Sequence, residues 1–184
     1  MTYYKKMQPI IETERLVLRE ITVDDVEVMF KLHSNPLVQK YTGESVVESL
    51  EEMKKAIESR IIDYKKYGYG RWATTMKEGN QFVGWAGLAY LEEFDEIDLG
   101  YRFLPEFWGM GIATEVSRAI LHYGFETLKL KRIVAIALEE NKASFRVMEK
   151  VGMEFEKIAP YEIGSEDAIW YWCDKDLILK NKEN

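Results

Sequence analysis

Hydrophobic residues recur along this chain at two spacings, every second residue in some segments and every third or fourth residue in others. The first spacing, or a short apolar run, predicts strands, and the second predicts amphipathic helices. Strands are predicted over residues 12–20, 69–76, 81–90, 96–103, 132–138, 153–159 and 168–177. Two helices are predicted after the first strand, one after the fourth and one after the fifth. The chain contains no repeat, low-complexity tract or linker, so a single domain is predicted over residues 1–184.

Several short signals predict where elements begin and bend. The segments Thr22–Asp25 and Ser45–Glu48 both have the capping-box arrangement, which predicts a helix start at each, the second helix running to about Lys66. Gly84 and Gly87 lie inside the strand 81–90 and predict a bulge or a close backbone approach. A turn at residues 164–165 is predicted to join the last two strands.

The stretch Glu96–Leu128 is predicted to be a strand, a tight turn and a helix. Apolar positions alternate with Asp98 and its neighbours in the first part, and helical spacing begins after the turn. Gly109 and Gly111 lie between them, where backbone without a Cβ can turn sharply and approach a ligand. Because a helix N-terminus has free N–H groups at the positive end of its dipole, this turn is predicted to bind a phosphate or pyrophosphate.

Composition narrows the class of protein. The formal net charge of −7 argues against a nucleic-acid surface and suits a cationic substrate, although moderate negative charge also simply aids solubility. The carboxylates between Glu92 and Glu96 are likewise either a solvated turn or an attraction for an amine.

The N-terminal sequence and the short apolar runs indicate neither a signal peptide nor a membrane span, and the one cysteine, Cys173, favours a reducing, cytoplasmic location. Neither His33 nor His122 has partners at metal-ligand spacing, so no metal is expected.

Four motifs resemble the Gcn5-related N-acetyltransferase (GNAT) superfamily. The family's pyrophosphate loop reads Gln/Arg-x-x-Gly-x-Gly/Ala, and the segment Trp108–Ala113 fits it except at the first position. Tryptophan before the first glycine resembles the RimJ and RimL branch, which acetylates N-termini of ribosomal proteins. Three further segments resemble the same branch: Thr13–Arg19, Leu99–Tyr101 and Asn141–Gly152.

The resemblance implies a mixed α/β GNAT fold and acetyl-CoA as cofactor. The implied sheet is twisted and mostly antiparallel, with about seven strands, split between the fourth and fifth and flanked by about four helices. Backbone groups at one strand edge would hold the pantetheine arm, the glycine turn would hold the pyrophosphate, and a following helix would face the sulfur. The implied cofactor-binding residues are Leu99, Tyr101, Phe103, Trp108, Gly109, Met110, Gly111, Ile112, Ala113, Thr114, Asn141 and Ser144.

The implied chemistry is direct attack of a neutral amine on a thioester, which needs a base, an oxyanion donor and an acid for the leaving thiolate. Asp98, or Glu96 one strand repeat earlier on the same face, is the candidate base, acting through water. Many family members have a tyrosine seven residues after the asparagine as acid, but here that residue is Met148. Ser144 therefore inherits the role of acid, with a plain hydrogen bond to the cofactor as the alternative.

The acceptor is left open among a protein N-terminal amine, a polyamine, an aminoglycoside and another small amine. Nucleic acid and membrane are not expected as partners, and the protein is expected to be a monomer or a homodimer.

Two other classes of function are alternatives to an acetyltransferase. A dinucleotide-binding oxidoreductase also uses a strand, Gly-x-Gly and a helix, but Thr114 replaces its third glycine. The second is a coenzyme A-binding module without catalysis.

Overall fold

The computed structural model describes residues 8–161 and 165–180, and within them the sheet has eight strands. The strands are β1 (Ile11–Glu12), β2 (Leu16–Arg19), β3 (Arg71–Met76), β4 (Phe82–Leu91), β5 (Glu96–Phe103), β6 (Ile133–Ala137), β7 (Glu154–Pro160) and β8 (Asp167–Cys173). The helices are α1 (Val26–His33), α2 (Pro36–Gln39), α3 (Leu50–Tyr67), α4 (Ile112–Glu126), α5 (Lys142–Lys150) and α6 (Lys175–Lys180). Two short 3-10 helices, Val23–Asp25 and Pro105–Phe107, complete the described elements. Among the described helices, none combines the length and apolar character needed to cross a bilayer.

The strand order is β1-β2-β3-β4-β5-β6-β8-β7, and neighbours are antiparallel except β5 and β6. These two strands are parallel and share a single registered pair, Asp98 with Val134, before they diverge. The mixed α/β fold with a split, mostly antiparallel sheet is therefore confirmed. The sheet has one strand more than predicted because the first predicted strand is interrupted and forms β1 and β2.

The register places α1 and α4 on opposite faces of the sheet. Trp72 of β3 packs edge-on against Tyr123 of α4, with ring centroids 5.7 Å apart. Trp85 of β4 instead stacks with His33 of α1, at 6.3 Å. Trp72 lies opposite Ala86, the residue after Trp85, and successive side chains of a strand point to opposite faces. The same register puts Tyr101 on the α4 face of β5.

Two predicted boundaries are wrong, each for a local reason. The capping box at Thr22 is present, but the one at Ser45 is not, since the segment before α3 is extended and the Val47 N–H donates to the His33 carbonyl at 3.1 Å. The N-cap of α3 is Ser49, whose side chain accepts from the Glu52 N–H. At the other end, the last strand stops at Cys173 because Asp174 accepts from the Leu177 N–H at 2.7 Å and starts α6.

The predicted bulge in β4 is confirmed at Gly84. The pairing with β3 shifts register between Thr74 and Thr75, and Gly84 has a φ of +150°. A Cβ at this position would lie 2.0 Å from the carbonyl oxygen of Arg102 in β5. Gly84 therefore permits the close approach of β4 to the strand that carries the predicted site.

A turn is also predicted at residues 164–165, and residue 164 lies outside the described part of the chain.

Replacement of Gly84 by alanine is expected to destabilise the protein by about 2–4 kcal/mol, because backbone strain and a clash with β5 add together. The matched control is Gly79→Ala, where φ is +71° but nothing lies within 4 Å of a Cβ. That control is expected to cost only about 1 kcal/mol. Urea unfolding of the two variants measures the difference, and equal losses would show that the approach of β4 to β5 is not tight.

Candidate active site

The glycine turn forms an N-terminal cradle at α4. Gly109 and Gly111 have φ angles of +75° and +77°, and Gly111 is the N-cap of the helix. The first bond of the helical ladder runs from the Glu115 N–H to the Gly111 carbonyl at 3.0 Å. The preceding N–H groups, those of Ile112 to Thr114, have no helical acceptor and lie at the positive end of the helix dipole. This is the geometry that an anion such as pyrophosphate needs.

The cradle is fixed to the start of the sheet by Glu115 in the first turn of α4. Its carboxylate accepts from the Thr13 hydroxyl at 2.5 Å and from the Arg15 N–H at 3.0 Å, and it pairs with the Arg15 guanidinium at 2.6 Å. Arg15 also donates to the Met110 carbonyl at 3.0 Å. Burial alone would raise the pKa of Glu115, but these hydrogen bonds lower it overall. The Thr13–Arg15 motif thus holds the turn in shape, a role that the sequence analysis did not assign.

A cavity of about 410 Å³ extends from the cradle to α5. Ten of the twelve residues expected to bind the cofactor line it: Tyr101, Phe103, Trp108, Gly109, Gly111, Ile112, Ala113, Thr114, Asn141 and Ser144. Leu99 lines a second cavity instead, and Met110 lines neither of these two cavities. The Trp108 side chain, whose Nε1 donates to the Phe103 carbonyl at 2.8 Å, is 50% exposed beside the cradle.

The second cavity, of about 350 Å³, lies at the split between β5 and β6. Asp98 and Leu99 line it from β5, and Ile136 lines it from β6. It shares six lining residues with the first cavity, so the two cavities meet along these side chains: Tyr41, Thr42, Tyr101, Arg102, Asn141 and Ser144. The two cavities together reach from the cradle, on the α4 side, to the face of the sheet that carries α1.

Tyr101 and Ser144 form a hydroxyl pair where the cavities meet. The Tyr101 hydroxyl donates to the Ser144 Oγ at 3.3 Å, and the Asn141 side chain accepts from the Ser144 N–H at 3.3 Å. Burial raises the pKa of Tyr101, and its hydrogen bond with Ser144 opposes that rise only in part. The phenol is therefore protonated at neutral pH. The sequence analysis gave Tyr101 a cofactor-binding role only. The signal that could have indicated its contact with Ser144 is its place in the Leu99–Tyr101 motif.

The two candidate bases have different surroundings. Asp98 lines the second cavity, but its carboxylate forms a buried ion pair with Arg71. Glu96 pairs with Arg132 at 2.9 Å, and Arg132 also binds Glu156 at 2.6 Å. Glu96 lines neither the first nor the second cavity. The structure therefore places Asp98 in a cavity that Ser144 also lines, and it does not place Glu96 there.

Three arginines surround Trp85 on the face of the sheet that carries α1. The guanidinium carbons of Arg60, Arg71 and Arg102 lie 5.0, 5.3 and 5.3 Å from the centre of the Trp85 ring. These four residues are called the arginine cluster below. They line a third cavity of about 320 Å³, which shares Arg71, Trp85 and Arg102 with the second. Gly100 leaves room for the Arg71 guanidinium in its present position, because a Cβ there would lie 2.8 Å from it.

The arginine cluster is the part of the site that the sequence analysis missed. The sequence analysis assigns no role to Trp85 or to the three arginines. A hydrogen bond to α1 holds the Trp85 ring in place, since its Nε1 donates to His33 Nε2 at 3.0 Å. Burial and the nearby charge of Arg102 lower the pKa of His33 from 6.5 to about 3, so the imidazole is neutral and accepts this bond.

Comparisons with known proteins agree with this geometry. Residues 15–154 match the family model described as an acetyltransferase (GNAT) domain. Over 153 residues the chain is 35% identical to YoaA, an uncharacterised N-acetyltransferase of Bacillus subtilis (strain 168). The matched region covers 83% of this chain and 86% of YoaA. The chain belongs to the GNAT acetyltransferase family.

Two solved GNAT structures share the fold. A RimL ribosomal L7/L12 alpha-N-protein acetyltransferase in complex with coenzyme A superposes with a TM-score of 0.79 at 21% identity, over 92% of this chain and 99% of that one. A spermidine N-acetyltransferase from Vibrio cholerae, in complex with CoA and spermine, gives a TM-score of 0.75 at 21% identity, over 89% and 98%. At this identity the two neighbours support the fold.

GNAT enzymes are acetyl-CoA-dependent N-acetyltransferases, and this chain fits that cofactor. The free N–H groups of the α4 cradle suit a pyrophosphate, and the adjoining cavity reaches from there to the split in the sheet. Beyond the pair of Asp98 with Val134, the edge of β5 has no registered partner in β6, so its backbone groups can pair with an extended amide chain. Among the described residues no group of histidine, cysteine and carboxylate side chains is arranged to hold a metal ion.

The lowered pKa of His33 predicts a pH-dependent stability. Because the unfolded state gains a proton near pH 6.5 and the native state only near pH 3, the free energy of unfolding should decrease as the pH falls below about 6.5. The slope from this one group reaches up to ~1.4 kcal/mol per pH unit. Urea unfolding at pH 7.5, 6 and 5 should show this decrease in the wild type and a smaller one in His33→Gln.

Glutamine is chosen at His33 because its side-chain oxygen can still accept the Trp85 N–H. The matched control is His122→Gln, at an exposed position on α4, which should retain the wild-type slope. The same slope in wild type and His33→Gln would show that the native state protonates His33 readily.

Proposed function

We propose that this protein transfers the acetyl group of acetyl-CoA to a primary amine that enters through the second cavity. The observation that carries the proposal is the meeting of the two cavities at Tyr101 and Ser144. A cofactor in the first cavity and an amine in the second would be brought together at this point. Holding both reactants in one ternary complex makes direct attack effectively intramolecular.

Each part of the first cavity has a role in this proposal. Acetyl-CoA, when bound, supplies an activated acetyl thioester and a thiol leaving group. The N–H groups of Ile112, Ala113 and Thr114 hold its pyrophosphate, and the open edge of β5 from Leu99 to Phe103 pairs with its amide arm. A backbone N–H of the same edge donates to the thioester carbonyl, where negative charge develops during attack.

The hydroxyl pair of Tyr101 and Ser144 supplies the proton that the departing thiolate needs. Ser144 lies on the first turn of α5 and accepts a hydrogen bond from the phenol, so a proton given up by its Oγ can be replaced from Tyr101. Met148, buried one turn further along α5, has no proton to donate. The tyrosine of β5 thus compensates for the tyrosine that many family members have at the position of Met148.

The state of the two carboxylates favours an amine that loses its proton easily. Asp98 is held by Arg71 and is left to act through water, while Glu96 is occupied by Arg132. An α-amine with a pKa near ~8 needs about 3 kcal/mol less for deprotonation than a lysine or polyamine amine near ~10.4. The proposed acceptor is therefore an α-amine, either of a protein N-terminus, as in the RimJ and RimL branch, or of a small molecule. The proposed location of the protein is the cytoplasm.

Polyamine or aminoglycoside acetylation is the second candidate, and the GNAT fold that this chain shares with a spermidine acetyltransferase favours it. The acidic segment before β5 gives it little support. Glu92 pairs with Lys66 at 2.5 Å, and Asp95 accepts from the Tyr90 hydroxyl at 2.6 Å. A non-catalytic coenzyme A-binding module is the alternative from another class.

A thiol-release assay with N-terminal peptides, amino acids, spermidine and aminoglycosides is expected to show turnover with α-amine acceptors. Mass spectrometry of each product locates the acetyl group on the α-amine rather than on a side chain. Faster turnover of spermidine than of every α-amine would replace the proposed acceptor by a polyamine. Tight binding of acetyl-CoA without transfer to any amine would instead identify the non-catalytic module.

The variants Ser144→Ala and Tyr101→Phe are each expected to lower kcat by about 10²-fold, because a positioned general acid contributes at least that much. The double variant should be little worse than either single variant, since the two hydroxyls act as one unit. The affinity for acetyl-CoA, measured by calorimetry, should stay within a few-fold of the wild type.

The matched control for this pair is Tyr171→Phe. The wild-type Tyr171 hydroxyl donates to Glu149 at 3.2 Å, away from the first and second cavities. Unchanged turnover together with weaker acetyl-CoA binding in Ser144→Ala would leave Ser144 as a cofactor contact. Unchanged turnover in Tyr101→Phe would remove the phenol from the proton route.

A further inference from the structure

We propose that the acceptor amine carries an anionic group, a carboxylate or a phosphate, which binds to the arginine cluster while the amine lies in the second cavity. This inference rests on the proposed transfer to an amine and names the chemistry of its acceptor. It runs against the expectation of a cationic substrate that the net charge of the chain suggested.

The arginine cluster has more cations than carboxylates. Arg71 pairs with Asp98, and Arg102 pairs with Glu44 at 2.7 Å. Arg60 forms no ion pair with any residue of the described chain, and its guanidinium lies over the Trp85 ring. Among the described residues, one partly buried guanidinium is therefore without a carboxylate partner and can bind an anion from outside.

The surroundings of Arg60 make its charge costly in the absence of such an anion. Burial, Arg71 and Arg102 together lower the pKa of Arg60 from 12.5 to about 10, against only a small opposing effect of Tyr64 and Glu44. A bound carboxylate or phosphate would relieve this repulsion, and planar guanidinium groups bind both anions with paired hydrogen bonds.

Glu44 shows that the cluster accepts a carboxylate. It lies in the loop before α3, and its two oxygens accept from Arg102 Nη1 and Nη2 at 2.8 and 2.7 Å. Burial alone would raise its pKa, but the hydrogen bond and charge of Arg102 lower it overall. Its side chain is 51% exposed, whereas that of Arg102 is only 10% exposed, so the anion lies at the mouth and the cation lies inside.

The cavities connect the arginine cluster to the reacting atoms. The third cavity contains Arg60, and it shares Arg71, Trp85 and Arg102 with the second cavity, which contains Ser144. An acceptor with its amine near Ser144 can therefore extend its anionic group toward Arg60. The other carboxylates of the third cavity, Asp63 and Glu92, are exposed, and Glu92 is neutralised by Lys66.

A polyamine fits this arrangement poorly. It would bring further ammonium groups beside three guanidinium groups in a partly buried cavity, where like charges repel more strongly than in water. Most carboxylates of the described chain lie outside the second and third cavities, and the field of exposed charges is screened beyond about 8–10 Å. The local cluster is therefore expected to decide which acceptor binds.

The test uses acceptor pairs that differ only in an anionic group. Amidated tripeptides with aspartate or asparagine at the second position test a carboxylate, phosphoethanolamine with ethanolamine tests a phosphate, and spermidine tests a polycation. In the wild type, kcat/KM is expected to be at least about tenfold higher for the anionic member of at least one pair, as one charge-assisted hydrogen bond provides. The pair with the larger ratio identifies the source of the anion.

Three variants locate this preference. Arg60→Gln should reduce the ratio to less than about threefold, while Arg60→Lys should restore part of it. Lys55→Gln removes the same charge from α3 at an exposed position that pairs with Glu51, so it should keep the wild-type ratio. The thermal unfolding midpoint of Arg60→Gln should be unchanged or raised, because a charge without a partner is removed.

Equal kcat/KM values within both pairs, or spermidine as the best acceptor, would overturn the inference. So would a wild-type ratio in Arg60→Gln. If no amine is acetylated at all, the proposed function fails, but the inference is still tested by calorimetry. The acetylated aspartate peptide should then bind wild-type protein more tightly than the asparagine peptide, and this difference should disappear in Arg60→Gln.

Discussion

The divergence of β5 from β6 is the feature on which the rest of the structure depends. Two parallel neighbours that share one registered pair leave a row of backbone N–H and carbonyl groups without strand partners. Such groups are costly to bury unsatisfied, so the gap favours a ligand that can act as a strand. The same gap joins the α4 face of the sheet to the α1 face. A fully paired sheet would separate the cradle from the arginine cluster, and no transfer between the two faces would be possible.

Because strand residues alternate between faces, β5 divides the chemistry between its two sides. Tyr101 points to the α4 face, where it meets Ser144, whereas Asp98, Gly100 and Arg102 point to the α1 face. One strand therefore presents the proposed proton donor on one face and the arginine side of the site on the other. Gly84 and Gly100 support this arrangement, since one lets β4 approach β5 and the other leaves room for Arg71.

The parts of the site that follow from local sequence were predictable, and those assembled from distant segments were not. The cradle is contained in a few consecutive residues, so its glycine spacing indicated it, and Asn141 and Ser144 lie in one short motif that resembles the GNAT family. The contact of Tyr101 with Ser144 spans 43 positions, and the arginine cluster combines α3, β3, β4 and β5. No periodicity connects these segments. The N-cap at Ser49 was missed for a similar reason, since the loop before it binds back to His33.

The contrast between the net charge and the arginine cluster shows how far composition can guide a functional hypothesis. A charge of −7 is a property of the whole surface, and much of it comes from exposed carboxylates such as Asp63 and Glu92. Around Trp85, three guanidinium groups lie beside only two carboxylates that pair with them, Asp98 and Glu44, while the other carboxylates of the third cavity are exposed. Uncompensated charge that is partly buried reduces stability, and groups whose pKa is perturbed in a cleft are candidates for a functional site. The structural position of Arg60, rather than the composition, is therefore the basis for the proposed kind of acceptor.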